Sequence, residues 1–573
     1  MKKIIYIIIA TSSLALASCD SFLDSDNYTE KDTSNFPKTL TDAEQVLTGI
    51  YTNLSYANAA PSSSYFNVAH LSSDDVLGGG GENDKDTQAK DMLLNYGEDM
   101  MSYFWEARYQ GIFRANTAIE TLDNCEGWES DEQKNQFKGE AYFLRAFYYF
   151  EMASLFGQVP LVVSTEPVNL PKAEPEEEYA QIASDLKNAI ELMYDEAYTS
   201  VESGHATKWA AEALMARVFL FYTGYYGETE LPLLGDDGTI TGTITKSEVI
   251  AWLEDCITNS GHSLVGDFRN LWPYTNSYTV EDYDYTKDKS LVWVENSGNV
   301  NPEVLFSVKF SNFASWSTTI GYSNQYCLYY GLRGGQALAN TFPFGAGWGV
   351  GPVNPQLWED WEAAEPSDVR REASIIDIPS ELPSYSYGGW TDFIQETDYW
   401  QKKNVPVTAI NGSSYVNSYS VLMYGTTDDM QLDNTQDLVL IRLADVYLMH
   451  SELTETNTYL NKVRERAGLD DVSYSLTALQ NERRWELAFE GLRWNDIRRW
   501  GIAADILQDQ IGQKIYIKGV ESTNKAFGGG YAARYNETGG FFPIPDSEIS
   551  LSEGVLTQNE GWNTSSSEYS GWK

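Results

Sequence analysis

Asn481-Glu482-Arg483-Arg484-Trp485-Glu486-Leu487-Ala488-Phe489-Glu490-Gly491-Leu492-Arg493-Trp494, running on through Asp496, Ile497, Arg499 and Trp500 to Gly501, is the most telling stretch of this chain. Trp485, Phe489, Leu492 and Ile497 form one apolar stripe at helical spacing, which predicts an amphipathic helix from Leu476 to Trp500 closed by Gly501. Glu490 lies three residues before Arg493, and Asp496 three before Arg499, a spacing that places opposite charges on one face. So many arginines could be read as an anion site. With an acidic residue near each of them, the charges neutralise one another within the fold, and the stretch reads as a folding element.

Helical periodicity continues outward from it. Leu440 to Leu453 and Thr456 to Ala467, closed by Gly468, precede it, and at the other end of the chain Thr41 and Glu44 read as a capping box before Val46, Leu47, Ile50, Tyr51 and Leu54. Further helices are predicted around Tyr103 to Leu122, behind the Ser130/Gln133 cap up to Gly157, and at Tyr179 to Met193 and Thr207 to Tyr222. Arg145, on a face crowded with Phe and Tyr, reads as a satisfied core arginine. Between Gly227 and Asn434 the texture turns to Gly, Ser, Thr, Asn, Tyr and Trp, with short alternating runs such as Glu303 to Lys309, so loops and small strands are expected there. The expected organisation is a leader at 1–18, a tether at 19–38, a helical part at 39–230, a loop-rich centre at 231–434 and a second helical part with its tail at 435–573. The fold class is therefore mostly α: a frame of helix pairs built from both ends, carrying a loop-rich centre with short β-strands. Function more often resides on loops held by a rigid frame, so the centre and the Gly78 to Asp86 loop are the places to look.

The start of the chain is an address. Lys2 and Lys3, the apolar Ile4 to Ala10, and Leu16-Ala17-Ser18-Cys19 look like a bacterial lipoprotein leader cleaved before a lipidated Cys19. The acidic Asp20 to Asp26 that follows resembles the signal with which Bacteroidetes-type bacteria send lipoproteins to the cell surface. No later run is long and apolar enough to span a bilayer, so the lipid is the expected anchor to the outer membrane. The other cysteines, Cys125, Cys256 and Cys327, read as small buried hydrophobes. The chain has 573 residues and a formal charge of -44, with 83 Asp and Glu against 39 Lys and Arg. That balance argues against nucleic acid and anionic membrane as partners, because phosphate recognition needs a basic face.

Catalytic signatures are missing. The four histidines are scattered, no His-Glu-x-x-His, Gly-x-Ser-x-Gly or Gly-x-x-x-x-Gly-Lys is present, and the Gly78 to Gly81 run lacks the Lys that a phosphate loop needs. Glycoside hydrolysis asks only for two carboxylates, which 83 acidic residues cannot exclude, yet nothing marks a pair, and the expectation is a protein that is not an enzyme. Asp282, Asp284 and Asp288 are spaced like the opening of a calcium loop, but Lys287 stands where Gly is needed and Trp293 where Glu is needed. No metal or other cofactor is called for, and calcium on scattered loop carboxylates has no sequence support.

Sugar recognition uses flat aromatic faces and planar polar side chains. The loops offer Trp316, Tyr322, Tyr329, Trp348 and Trp390 for stacking, and Asp74, Asp75, Asn83, Asp84 and Arg370 as polar partners, some subset of which is expected to form the site. The glycine run beside Asp and Asn favours the first loop, because it lets backbone and side chains approach a ligand closely.

Several blocks, in order, resemble the SusD/RagB family: the Cys19 lipobox, Phe143-Leu144-Arg145-Ala146-Phe147-Tyr148-Tyr149-Phe150 leading to Phe156-Gly157-Gln158-Val159-Pro160-Leu161, Ala206 to Leu214, Ile441 to Met449, Asn481 to Trp494 and Phe542-Pro543-Ile544-Pro545. The resemblance implies a mostly helical fold with tetratricopeptide-like helix pairs, a glycan-binding face built from loops, and a surface lipoprotein that passes nutrient to a SusC-type, TonB-dependent outer-membrane transporter. The chain's charge favours a neutral oligosaccharide as cargo. A peptide-binding importer component of the same family, and a protein-contact adaptor without its own ligand, are the alternatives.

Overall fold

Long helices form where the apolar period is sustained and the ends are capped, and they carry the architecture. The computed structural model describes residues 36–569 apart from 60, 82, 98, 236, 318–321 and 390–394, so the leader, Cys19 and Trp390 lie outside the described residues. The first half contains α1 (Leu40–Ala59), α2 (Tyr65–Leu71), α3 (Lys85–Asp91), α4 (Ser102–Thr121), α5 (Asp131–Phe156), α6 (Pro175–Leu192), α7 (Lys208–Tyr226) and α8 (Lys246–Asn259). Ser130 caps α5 as its sequence predicts, accepting the Gln133 N–H at 3.2 Å. On α1 the cap lies two residues earlier than Thr41/Glu44: Thr39 and Asp42 exchange side-chain to backbone bonds, at 3.1 and 3.2 Å.

α4 packs on α1 and α5, α5 on α6, α6 on α7, and α7 on α8. Buried polar groups fix the register. Arg145 of α5 forks onto Asp185 of α6 at 2.6 and 2.8 Å and bonds Asn116 of α4, and the Tyr148 hydroxyl donates to the Ile50 carbonyl of α1. α8 falls inside the stretch expected to be loops and strands. Its capping box, Thr245 with Glu248, is sufficient to start a helix that buries Val249, Leu253 and Cys256. Cys125 and Cys327 are buried as well.

Six two-stranded ladders are the sheet content of the described residues. One of them joins the halves of the chain. β1 (Val304–Val308) pairs antiparallel with β4 (Leu438–Arg442), Phe306 of β1 packs edge-on against Phe143 of α5 at 4.9 Å, and β4 runs directly into α10 (Leu443–Thr454). α10 packs on α8, α11 (Thr458–Arg466) and α12 (Leu476–Leu487), while α13 (Arg493–Arg499) returns to α7 and α2. The frame is thus one helical array closed by both ends of the chain.

The helix expected to run unbroken from Leu476 to Trp500 is two helices. Between α12 and α13, Phe489 and Gly491 take left-handed backbone with φ of 67° and 73°. A Cβ at Gly491 would sit 3.0 Å from the Phe66 ring, so this turn needs glycine on both counts. The break also redirects the charges. Asp496 and Arg499 pair at 2.9 Å as their spacing predicts, but Glu490 turns to Arg442 and Lys403, and Arg493 reaches Asp74 instead.

α12 is the centre of a buried ionic network. Glu486 meets Arg370, Arg442 and Arg466, Glu482 meets Arg370 and Arg464, and Arg483 bridges Asp445 and Asp496. Burial would raise the Glu486 carboxyl, but Arg466, Arg442 and Arg370 hold it well below the usual range. Burial likewise opposes ionisation of Asp445, yet Arg217 and Arg483 hold it at about 2.

Two outcomes are expected. Gly491→Ala loses about 1–3 kcal/mol in urea unfolding, from left-handed strain and contact with Phe66. Because the Asp445 pKa is depressed in the folded state, the stability it confers is full above the unfolded value near 3.8 and drains as pH falls toward about 2. Asp445→Asn, which leaves Arg217 and Arg483 short of a partner, therefore costs about 3–5 kcal/mol at neutral pH and flattens that acid limb in a pH series of unfolding curves.

Candidate functional site

The glycine run Gly78 to Gly81 is buried and spends its close approach on the protein itself. It lies along 349–353, with bridges Val76 to Val353 and Gly79 to Val350, and the Gly80 N–H bonds the Gly349 carbonyl at 2.8 Å. Gly79 has φ +70°, and a Cβ there would lie 2.6 Å from the Gly349 oxygen. The expectation that this backbone meets a ligand is replaced by a packing role: it clamps the first loop to the central region.

Behind the clamp stand two of the candidate carboxylates. Asp74 is 4 % exposed and Asp75 1 %. Arg493 reaches Asp74 at 2.7 Å, and Arg484 reaches both Asp74 and Asp75, at 3.0 and 2.8 Å. Burial would raise the Asp74 carboxyl, but the two guanidinium groups hold it well below the usual range. Arg370 is fully buried, held by Asp368, Glu482 and Glu486 at 2.6–2.9 Å. All three serve as internal ion pairs and none lines an open cavity.

The clamp positions an open groove of about 540 Å³ lined by Asn83, Asp84, Tyr329, Arg333, Trp348 and neighbouring residues. Four of the sequence candidates, Asn83, Asp84, Tyr329 and Trp348, are brought together here. Asn83 and Asp84 stand just before α3, where Asp84 accepts the Gly81 N–H at 2.7 Å. The far wall follows from α9 (Gln325–Tyr330) and a short parallel ladder of β2 (Leu332–Arg333) with β3 (Ala346–Gly347). The Trp348 N–H bonds the Leu328 carbonyl at 2.8 Å, the Val350 N–H bonds the Tyr329 carbonyl at 3.0 Å, and Arg333 donates to the Trp348 carbonyl at 2.8 Å. These bonds place two aromatic rings and a guanidinium on one wall, opposite the carboxamide and carboxylate of the first loop. Arg333 comes within 3.8 Å of Asp84, joining the walls electrostatically. Burial pushes the Tyr329 hydroxyl above its ordinary value, so it is a neutral hydrogen-bonding group at physiological pH.

Ser62, Asp86, Thr87 and Arg333 join the groove without having been expected from sequence. For Arg333 a signal existed: it is followed by a Gly-Gly pair and stands four residues after Tyr329, the setting of a side chain presented from a tight turn. Asp86 is taken up by Lys90 at 2.7 Å.

Trp316 and Tyr322 do not line the groove. They stand on the preceding loop, 62 % and 48 % exposed, where the Ser311 N–H closes the loop onto the Tyr322 carbonyl and the Trp316 indole donates to Asp429 at 3.0 Å. Tyr329 lies near the far end of α9, which follows this loop. Trp390 lies outside the described residues. Among the described residues no three His, Cys, Asp or Glu side chains form a metal shell, and no helix is long and apolar enough to cross a membrane.

Comparison with known proteins gives the fold a context. The chain is 24 % identical over 548 residues to SusD-like protein P25 of Formosa agariphila, covering 86 % of this chain and 89 % of that one. A solved laminarin binding SusD-like protein is similar with a TM-score of 0.66 and 26 % identity, over 92 % of this chain and all of that one. Surface glycan-binding protein A from Bacteroides thetaiotaomicron, solved in complex with laminarihexaose, has a TM-score of 0.66 at 19 % identity, over 91 % of this chain and all of that one, and so shares the fold. Residues 21–220 match a SusD-like family model described as "Starch-binding associating with outer membrane", and residues 337–562 match that of the SusD family. With both ends of the chain matched in order and the helical frame shared, the chain belongs to the SusD/RagB family.

Proposed function

We propose that the groove captures a neutral oligosaccharide, without cleaving it, for delivery to a SusC-type TonB-dependent outer-membrane transporter, with lipidated Cys19 holding the protein at the cell surface. The observation that carries this reading is the convergence of Tyr329 and Trp348 with Asn83, Asp84 and Arg333 in one open groove. Aromatic faces take the C–H face of a sugar ring, and the carboxamide, carboxylate and guanidinium take its hydroxyls. A solved relative that binds laminarin supports the ligand class. Asp84 is oriented by the Gly81 N–H on one carboxylate oxygen, and Asp86 is paired with Lys90. Arg333 is balanced by Asp84, and on a chain of charge -44 nothing in the groove offsets the repulsion of a polyanion. The exposed ring of Trp316 extends the surface for a chain longer than the groove.

Isothermal titration of residues 20–573 with neutral and acidic oligosaccharides, and with a peptide digest, tests the reading. Saturable heat is expected with a neutral glycan, laminarihexaose being the first to try, and none with the acidic ones. Trp348→Ala weakens binding by roughly 2 kcal/mol, about thirtyfold. Heat from peptides alone would overturn the glycan reading. Trp316→Ala is expected to weaken long oligosaccharides while leaving short ones unaffected, as read from a chain-length series.

A further inference from the structure

A second cavity, of about 270 Å³, lies where the loop between α6 and α7 meets the segment after α8 and the edge of β1. Tyr198, His205, His262, Val300, Asn301 and Lys309 are among its lining residues, and it shares none with the groove. Two of the chain's four histidines therefore line one cavity. His262 stacks on Tyr198, ring centroids 4.0 Å apart at 15°, and is 8 % exposed. Its Nδ1 lies 2.9 Å from the Pro302 carbonyl, which can only accept, so the proton is on Nδ1 and Nε2 is a bare acceptor. That Nε2 is buried and has no hydrogen-bond partner. Burial lowers the imidazole to about 4, so it remains an acceptor at neutral pH. A buried acceptor left unpaired carries a desolvation cost that a ligand hydroxyl would relieve.

The cations of the wall are already neutralised. His205 Nδ1 pairs with Glu140 at 2.8 Å, and Lys309 with Asp437. Glu202 also lines the cavity, near enough to His205 to join Glu140 in raising its imidazole, so no uncompensated positive charge is left for an anion. Val300 and Val304 supply an apolar side. The volume falls just below the range of drug-sized ligand pockets, which suits one ring rather than a chain. We propose that this cavity is a second saccharide site, taking one neutral sugar ring, either a free monosaccharide or the terminal residue of a longer glycan, with a hydroxyl donating to His262 Nε2. The proposal rests on the glycan-binding reading for its ligand class, and on the cavity alone for its location.

The test is a long-range proton–nitrogen correlation spectrum of residues 20–573 labelled at histidine, titrated with neutral monosaccharides and with laminarihexaose; His262→Phe assigns the signal. A saturable upfield shift of His262 Nε2 is expected, unchanged in Trp348→Ala. The same shift is expected to need at least about ten times more sugar in Val300→Trp, where a half-exposed residue of the cavity wall is enlarged. A response to monosaccharide identifies the free sugar as ligand, and one to the hexasaccharide alone identifies a chain end. No His262 response, while laminarihexaose still binds the groove, overturns the second site and leaves the groove reading intact. A response that vanishes in Trp348→Ala also overturns it, since the signal would then report the groove. Silence of both sites would take the glycan reading with it.

Discussion

The Glu486 carboxylate, buried among Arg370, Arg442 and Arg466, is the contact on which the rest of the structure depends. Its three partners come from the central region, from the strand that enters α10, and from the end of α11. Ions removed from water each carry a penalty of several kcal/mol that is recovered only when every partner is present, so the arrangement is close to all-or-none. Such a network adds little net stability over an apolar core. What it fixes is geometry: a central region rich in Gly and Ser, with little regular structure of its own, can dock on the helical frame in one way.

The same helix sets the site at one remove. Arg484 of α12 and Arg493 of α13 hold Asp74 and Asp75. Those residues lead into the buried glycine run, the run is bridged to Val350, and Val350 is two residues from Trp348. The groove is therefore a seam between the first loop and the central region, with the loop tied to the frame by side-chain ion pairs and to the central region by main-chain bonds. A ligand platform built this way has little left to order on binding, which is the advantage of preorganisation.

Much of this was legible in the sequence, for identifiable reasons. Helix existence followed from periodicity and caps, as at Ser130. The structural nature of the arginine-rich stretch followed from its interleaved acids, and Arg145 is the core arginine its surroundings predict. Partners distant in sequence were not legible. Glu490 turns to Arg442, 48 residues away, rather than to nearby Arg493, because the Phe489 to Gly491 turn breaks the helix. Asp74 and Asp75 looked like free polar side chains because their countercharges lie more than four hundred residues off, and Arg370 did too, because Glu482 and Glu486, which complete its burial beside Asp368, lie more than a hundred residues away. Asn83, Asp84, Tyr329 and Trp348 were within reach of sequence reasoning because aromatic and planar polar residues in loops are unusual unless they pack or bind. Arg333 was missed although the Gly334-Gly335 pair after it is a local turn signal, because such a turn does not by itself tell a guanidinium facing a groove from one facing the core.

The most direct test of the central claim is a crystal structure of the protein with laminarihexaose bound. The account predicts a sugar ring against Trp348, with its hydroxyls within hydrogen-bond distance of Asn83, Asp84 or Arg333. A hexasaccharide ordered elsewhere on the molecule, with the Tyr329/Trp348 groove empty, would contradict it.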